Sequence, residues 1–369
     1  MNDVQLDHHQ AAAATTTAPH VLVVSGPGAG KTRTLTARVG HLLDQGADPS
    51  RILAVTFTNA AAGELVDRIG RPDLEWVGTF HSVLRRLVVR PYAARFGRKS
   101  PEVADDDEAF RALKVVARRL ASENPSLSIP TRVDDLRQWA ADFSWYKNAV
   151  RKPTEPARLA LFAAYDEYLA ARDLVDFDDL LLLPVELMST EEDVRQEVAS
   201  SFDHVLVDEY QDTNTCQVQL VRLLCSEEAS LFVVGDPAQS IYGFRGADPG
   251  NVSSLGRIFP DLVTYELPIT YRCPTSVINL ANRIGASALC LVPSVENARR
   301  KGVARPLPCG SLFDQGAKVA REITRLLDNA CPAREIAVLY RRRSVPSETG
   351  ITKLLRENGV PFREVGAWT

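Results

Sequence analysis

The stretch Ser25-Gly26-Pro27-Gly28-Ala29-Gly30-Lys31-Thr32 constrains this chain more than any other. It lies between His20–Val24, which is short, apolar and rich in β-branched residues, and Arg33–Leu43, where Leu35, Val39, Leu42 and Leu43 recur at helical spacing. Glycines at a strand-to-helix turn let the backbone approach a ligand closely, so that successive N–H groups and the helix N-terminus converge on one anion. The stretch therefore reads as a phosphate cradle in which Lys31 reaches the β and γ phosphates of a nucleotide and Thr32 holds Mg²⁺. Ser25 stands where the strict pattern has glycine, and a small residue still fits there. The competing reading is an ordinary glycine-rich turn, against which the flanking strand and helix weigh.

Around this feature the chain has the composition of a globular protein: 369 residues, 45% hydrophobic and 24% charged, enough for two or three domains. Its start shows no basic segment followed by an apolar core, and no apolar run approaches the roughly 20 residues that span a bilayer. No membrane role is expected, and the cytoplasm, or the nucleus in a eukaryote, is the expected location. Cys216, Cys225, Cys273, Cys290, Cys309 and Cys331 form no C-x-x-C pair, which fits reduced thiols better than a disulfide framework or a zinc site. The formal net charge of −4 argues mildly against a basic coat. Basic clusters exist at Arg85, Arg86, Arg90, Arg95, Arg98 and Lys99 and at Arg299, Arg300, Lys301 and Arg305, but such runs are most often solvated faces.

Leu6–Gln10 leads into alanines as a short helix, and the adjacent His8 and His9 do not share a helix face, so they read as surface. Ile52–Phe57 reads as a second strand, Thr58-Asn59 as a cap with a helix to Ile69, and Trp76–Thr79 as a third strand running into a helix from Phe80 to Val89. Alternation of strand and helix is the α/β signature. From Arg90 to Ser200 the pattern is helical throughout, at Asp105–Leu120, Val133–Asn148, Ala157–Ala171 and Asp176–Met188, with Pro125, Pro130, Pro153 and Pro156 marking the breaks. This is expected to be a helical domain inserted into a loop of the α/β domain. Strands return at His204–Val207 and Leu231–Val234. Beyond Thr270 the expected helices are Pro274–Ala288 and Asp314–Asn329, and the expected strands Ala337–Tyr340 and Phe362–Val365.

Val205-Leu206-Val207-Asp208-Glu209 is an apolar strand ending in two acids. A strand with such an end is as often a structural loop, but opposite a phosphate cradle it supplies what nucleotide hydrolysis needs. Asp208 can hold Mg²⁺ through water, and Glu209 can orient and deprotonate the attacking water.

With these residues in place, the chain resembles the N-terminal, ATP-binding portion of a UvrD/Rep-like superfamily 1 DNA helicase. The matches run in order along nearly the whole sequence. Gln10 resembles the glutamine that reads adenine, and Val55-Thr56-Phe57-Thr58-Asn59 and Gly78-Thr79-Phe80-His81-Ser82 resemble two motifs that contact single-stranded DNA. Asp208-Glu209-Tyr210-Gln211-Asp212-Thr213 resembles the Mg²⁺ and hydrolysis motif. Gly235-Asp236 through Gln239-Ser240-Ile241-Tyr242-Gly243-Phe244-Arg245-Gly246-Ala247 resembles the segment coupling ATP to DNA, and Tyr271-Arg272 the pair that stacks on adenine and reaches the γ-phosphate. Phe244, Thr270 and Ala60 stand where many relatives carry tryptophan, asparagine and lysine.

The resemblance implies an α/β fold: a RecA-like P-loop domain at 1–89 and 201–270, an inserted all-helical domain at 90–200, and the first part of a second RecA-like domain at 271–369. It implies ATP and Mg²⁺ as cofactors. Gln10, Ser25, Gly26, Pro27, Gly28, Ala29, Gly30, Lys31, Thr32, Arg33, Tyr271 and Arg272 would bind the nucleotide, and Thr32 and Asp208 the metal. Glu209, Lys31, Gln239 and Arg272 would act in catalysis. Thr56, Phe57, Asn59, Thr79, His81, Tyr242 and Phe244 would contact DNA. Stacking on Phe57, Tyr242 and Phe244 would grip a strand without reading sequence, for about 1–3 kcal/mol per base; the competing reading for each is a core aromatic, and it weighs most for Phe57, which ends an apolar strand. The function implied is 3′-to-5′ translocation on single-stranded DNA and opening of duplex–single-strand junctions, in DNA repair or replication. Because no segment resembles the family's final motifs, the alternative is a weakly active ATP- and DNA-binding fragment needing a partner or a C-terminal half. On that basis the polypeptide alone is expected to bind both ligands, hydrolyse slowly and leave duplex closed.

Overall fold

The computed structural model describes residues 5–241, 243, 248, 250–285, 289–340 and 344–364. Two compact units divide between Gly302 and Val303.

The first unit is organised by six strands: β1 (His20–Ser25), β2 (Ile52–Thr56), β3 (Trp76–Thr79), β6 (His204–Val207), β7 (Ser230–Gly235) and β8 (Val263–Leu267). They form one sheet in the order β3-β2-β6-β7-β1-β8, and every neighbouring pair is parallel. Side chains alternate between faces along each inner strand. Val21, Val23, Ile52, Ala54, Leu206, Phe232 and Val234 join one core with α2 (Lys31–Asp44) and α3 (Asn59–Ile69). Leu22, Leu53, Val55, Val205, Val207, Leu231 and Val233 join the other, covered by α4 (Phe80–Leu84), α8 (Asp179–Thr190), α9 (Glu192–Ala199) and α10 (Thr215–Leu224). Helices on both faces bury the inner strands, which is why those strands read as continuous apolar runs. Thr58 caps α3 through its hydroxyl, accepting from the Ala61 N–H at 3.1 Å.

Between β3 and β6, α5 (Asp106–Glu123), α6 (Val133–Asn148) and α7 (Pro156–Ala170) close on a core of their own, with Leu113, Val116, Leu136, Phe143, Leu161, Phe162 and Leu169 inside. This stretch is not helical throughout. Short parallel strands β4 (Glu102–Val103) and β5 (Leu174–Val175) pair within it, too brief to show alternation in sequence. The expected helix Phe80–Val89 is also interrupted, since α4 passes into a π turn over Arg85–Val89. Helices α9, α10 and α11 (Gly250–Ile258) and strand β8 are additional to the sequence reading. β8 escaped it because it is an edge strand, exposed along most of its length and so without an apolar run.

Beyond β8 the first unit continues through β9 (Ile269–Thr270), α12 (Thr275–Arg283), β10 (Val292–Pro293) and α13 (Val295–Ala298). The expected helix to Ala288 is shorter among the described residues, ending at Arg283; residues 286–288 lie outside them. The second unit contains α14 (Leu312–Asp328), α15 (Val345–Glu348) and α16 (Ile351–Glu357), with a small core at Ala320, Ile323, Ile351 and Leu355. The strands expected at Ala337–Tyr340 and at Phe362–Glu364 are not formed, and Val365 lies outside the described residues. Leu339 is 91% exposed, and no described strand of that unit offers the hydrogen-bonding partner a strand requires.

Candidate nucleotide site and nucleic-acid interface

The described residues expected to bind nucleotide, metal or DNA, apart from Gln10, lie at or shortly after the carboxyl end of a strand of the central sheet. Open parallel sheets bind ligands at this edge. The strand order separates two groups along it: Thr56 and Thr79 end β2 and β3, with Phe57, Asn59 and His81 just beyond them, while the cradle, Gln239, Tyr271 and Arg272 lie beyond β1, β7 and β8. Asp208 and Glu209 leave β6 between them.

The cradle owes its shape to left-handed backbone at Gly28 (φ 74°) and Gly30 (φ 85°), the latter being the N-cap of α2. Close approach also demands glycine. A Cβ at Gly30 would lie 2.7 Å from Gln10 Nε2, and one at Gly28 would lie 2.5 Å from Arg272 Cβ. Gln10 is buried at the end of a capping box on α1 (His8–Ala14), made with Asp7, and its Nε2 donates to the Ala29 carbonyl at 2.9 Å. Tyr271 also touches the cradle. Its N–H donates to the Gly28 carbonyl at 2.9 Å and its hydroxyl to Asp7 Oδ2 at 2.5 Å, and the residue remains 40% exposed. Thr270 is buried and its hydroxyl donates to the Pro27 carbonyl at 2.8 Å, so this substitution serves the loop itself. Arg33 donates to the Gln5 carbonyl at 2.7 Å, and Arg272 is exposed beside the cradle. Ser25 is fully buried, Gly26 packs so closely on Leu291 that a Cβ would clash, and Ala29 is buried.

Lys31, at the start of α2, places Nζ 3.4 Å from Glu209 Oε2. Thr32 Oγ1 donates to Asp208 Oδ2 at 3.2 Å. Burial, reinforced by Glu209, pushes the Asp208 carboxyl up to about 6, and the same causes raise Asp212 to about 6. Burial also raises Asp236, which accepts from Gln239 Nε2 at 2.5 Å. The site thus crowds carboxylates around one lysine. An adjacent hydroxyl and carboxylate are hard oxygen donors that suit Mg²⁺, which is ordinarily held by one or two protein groups with phosphates and water. Consistent with so sparse a set, no group of three or more His, Cys, Asp or Glu side chains converges on a metal position among the described residues.

On the β2–β3 side, Thr56 is buried with no hydrogen bond recorded for its hydroxyl, Phe57 is half-buried, and Asn59 is exposed at the start of α3. Phe57 is therefore not a core aromatic. Thr79 caps α4, accepting from the Ser82 N–H at 3.2 Å. His81 stacks on Phe177 with ring centroids 3.9 Å apart and planes within 16°. Desolvation lowers its pKa to about 4, so the ring is neutral. Tyr242 and Phe244 lie outside the described residues.

The geometry adds Phe177, which the sequence reading passed over, and gives a position to Gln211, which that reading named only as part of the hydrolysis motif. Phe177 is 53% exposed, and its one sequence signal is an aromatic flanked by acids in Asp176-Phe177-Asp178-Asp179. Gln211 is buried between Glu209 and Asp236, a position visible only once β6 and β7 are neighbours.

These features agree with what the chain is similar to. The model of the UvrD/REP helicase N-terminal domain matches residues 6–260, and the chain belongs to that family. It is 32% identical over 369 aligned residues to the ATP-dependent DNA helicase Rep of Escherichia coli, covering 94% of this chain and 53% of that protein. It is 30% identical over 387 aligned residues to the ATP-dependent DNA helicase PcrA of Staphylococcus aureus, covering 98% of this chain and 51% of that protein. The chain spans about half the length of these relatives. No helix among the described residues is long and apolar enough to cross a membrane.

Proposed function

We propose that this chain is the ATP-hydrolysing, strand-gripping part of a DNA helicase that translocates on single-stranded DNA. The observation that carries the reading is the shared sheet edge: the glycine cradle after β1 and the residues expected to contact a strand, at the ends of β2 and β3, lie along one edge of a parallel sheet, with Asp208 and Glu209 after β6 between them. The names of Rep and PcrA point the same way.

In this reading the backbone of Ser25–Thr32 cradles the phosphates, Gln10 and Tyr271 flank the base, and Lys31 turns from Glu209 to the β and γ phosphates. Thr32 and Asp208 would hold Mg²⁺, which when bound neutralises charge developing on the phosphates. Glu209 takes a proton from the attacking water, whose oxygen bonds to the γ-phosphorus as the bond to ADP breaks. Gln239, tied to Asp236, senses the γ-phosphate, and Arg272 adds positive charge. Phe57, His81 and the exposed face of Phe177, with Tyr242 and Phe244, give bases sequence-tolerant surfaces.

The resemblance supports the finer points. They are 3′-to-5′ polarity, action at duplex–single-strand junctions in repair or replication, a cytoplasmic setting and a partner or further segment completing the motor. The proposed domains are RecA-like at 1–89 and 201–270, helical at 90–200 and part of a second RecA-like domain at 271–369. Glu209→Gln tests the core of the reading. It should retain ATP binding while turnover falls by orders of magnitude, because the base is lost and Asp208 is not. Loss of affinity with unchanged turnover per bound ATP would contradict the assignment.

A further inference from the structure

Glu209 has a weakly defined position for a group that must aim at one water molecule. Its backbone is left-handed (φ 51°) and its side chain is 32% exposed, with several torsions free to vary. Two neighbours are recorded for its carboxylate: Lys31 at 3.4 Å, and Gln211, whose Nε2 donates to Oε2 at 2.7 Å. Lys31 is the residue that leaves for the phosphates, so Gln211 is the anchor that stays.

Gln211 is itself fixed. It is 1% exposed, and its Oε1 accepts from the Asp236 N–H at 2.8 Å. The reverse orientation of the amide would set its NH₂ against that N–H and its oxygen against the carboxylate, so the two bonds define one orientation. Gly235 leaves the space for it: a Cβ there would sit 3.0 Å from Gln211 Oε1. Asp236 accepts in turn from Gln239 Nε2 at 2.5 Å and the Ala238 N–H at 3.1 Å. Glu209 at the end of β6 and Gln239 beyond β7 are thereby joined by the chain Glu209–Gln211–Asp236–Gln239.

We propose that Gln211 is a positioning residue for hydrolysis, aiming the Glu209 carboxylate through Nε2 and tying it, through Asp236, to the position of Gln239. The proposal rests on the reading of Glu209 as the base. A neutral amide suits the task. It can donate to the carboxylate without neutralising it, whereas a lysine there would suppress its basicity and a glutamate would repel it.

The two ends of the amide can be tested apart in the 369-residue chain. Gln211→Glu keeps an acceptor for the Asp236 N–H and loses the donor to Glu209; Gln211→Met loses both. In the absence of nucleotide, hydrogen exchange at the Asp236 amide should stay slow in Gln211→Glu and accelerate in Gln211→Met. With ATP and single-stranded DNA, both variants should lose about 10- to 100-fold in kcat with KM for ATP little changed, the usual cost of removing a group that orients a catalytic one. Parental kcat in Gln211→Glu, with the Asp236 amide still protected, would reduce Gln211 to a structural strut and overturn the proposal. If melting shows that Gln211→Glu does not fold, Gln211→Met decides: parental kcat in that variant overturns the proposal, and loss of kcat at constant KM upholds it. Parental turnover in Glu209→Gln, by contrast, would overturn the reading of Glu209 as the base.

Discussion

Two lysines, each set among carboxylates, carry opposite lessons. Lys147 on α6 is 1% exposed and has Asp179, Asp176 and Asp166 at 2.6, 2.8 and 3.0 Å. Burial opposes its charge, yet the three acids together hold its pKa well above the ordinary value. Asp176 and Asp179 also accept each other's backbone N–H at 2.9 and 3.0 Å, so the cluster is closed on itself. Lys31 has one carboxylate, at 3.4 Å, beyond ordinary hydrogen-bond length, while Asp208, Asp212 and Asp236 nearby are all raised by burial. A saturated cluster holds a fold together. A loosely paired lysine beside a glycine cradle is a receptor, because an arriving phosphate can take the lysine without leaving a buried charge alone.

Substitutions at the two lysines should therefore separate cleanly. Lys31→Ala should lower ATP turnover by orders of magnitude with stability changed by no more than about 1 kcal/mol, since Glu209 is left facing water. A large fall in melting temperature would place Lys31 with the structural cluster instead. Lys147→Met should destabilise by about 3–5 kcal/mol in urea, because Asp176 and Asp179, both largely buried, and the partly exposed Asp166 lose their counter-ion. A neutral result would show that the acids simply take up protons.

Phe177 joins this structural cluster to the strand side of the sheet edge. Its neighbours in sequence, Asp176 and Asp178, are fixed by Lys147 and by Asn148 Nδ2, the latter at 2.7 Å, while its ring faces solvent on His81. Phe177→Ala should cost about 1–3 kcal/mol in single-strand affinity, equally for different base sequences, and leave ATP affinity unchanged. Unchanged strand binding in a titration would remove it from the interface.

The smallest effect is that of pH on His81. Its folded pKa is about 4 against an ordinary 6.5, so between these values the unfolded chain holds the extra proton. Its contribution is present at neutral pH and is lost as pH falls through that window. Acidification from about pH 7 to 5 should cost about 1 kcal/mol through this ring, allowing for its partial exposure, and His81→Gln should remove that part of the melting-temperature slope. An identical slope in the variant would contradict the assignment.

The parts of the site legible in the sequence were those written locally. The cradle announces itself because a strand, glycines and a helix must be consecutive, and Asp208-Glu209 because a buried strand ends in two acids. The inner strand His204–Val207 matched to the residue, since burial on both faces makes a strand continuously apolar, and the edge strand Trp76–Thr79 matched as well. What failed was what depends on neighbours. Val263–Leu267 is a strand only because β1 lies beside it, Gln211 is an anchor only because β7 lies beside β6, and Leu339 had the right residue type without a partner.

The central claim is that one sheet edge couples a nucleotide to a DNA strand. ATP hydrolysis by the unaltered chain, measured with and without single-stranded oligonucleotides of unrelated sequence, tests it most directly. The account predicts stimulation by every strand to a similar degree, abolished in Lys31→Ala and reduced in Phe177→Ala. Turnover that ignores single-stranded DNA would contradict it.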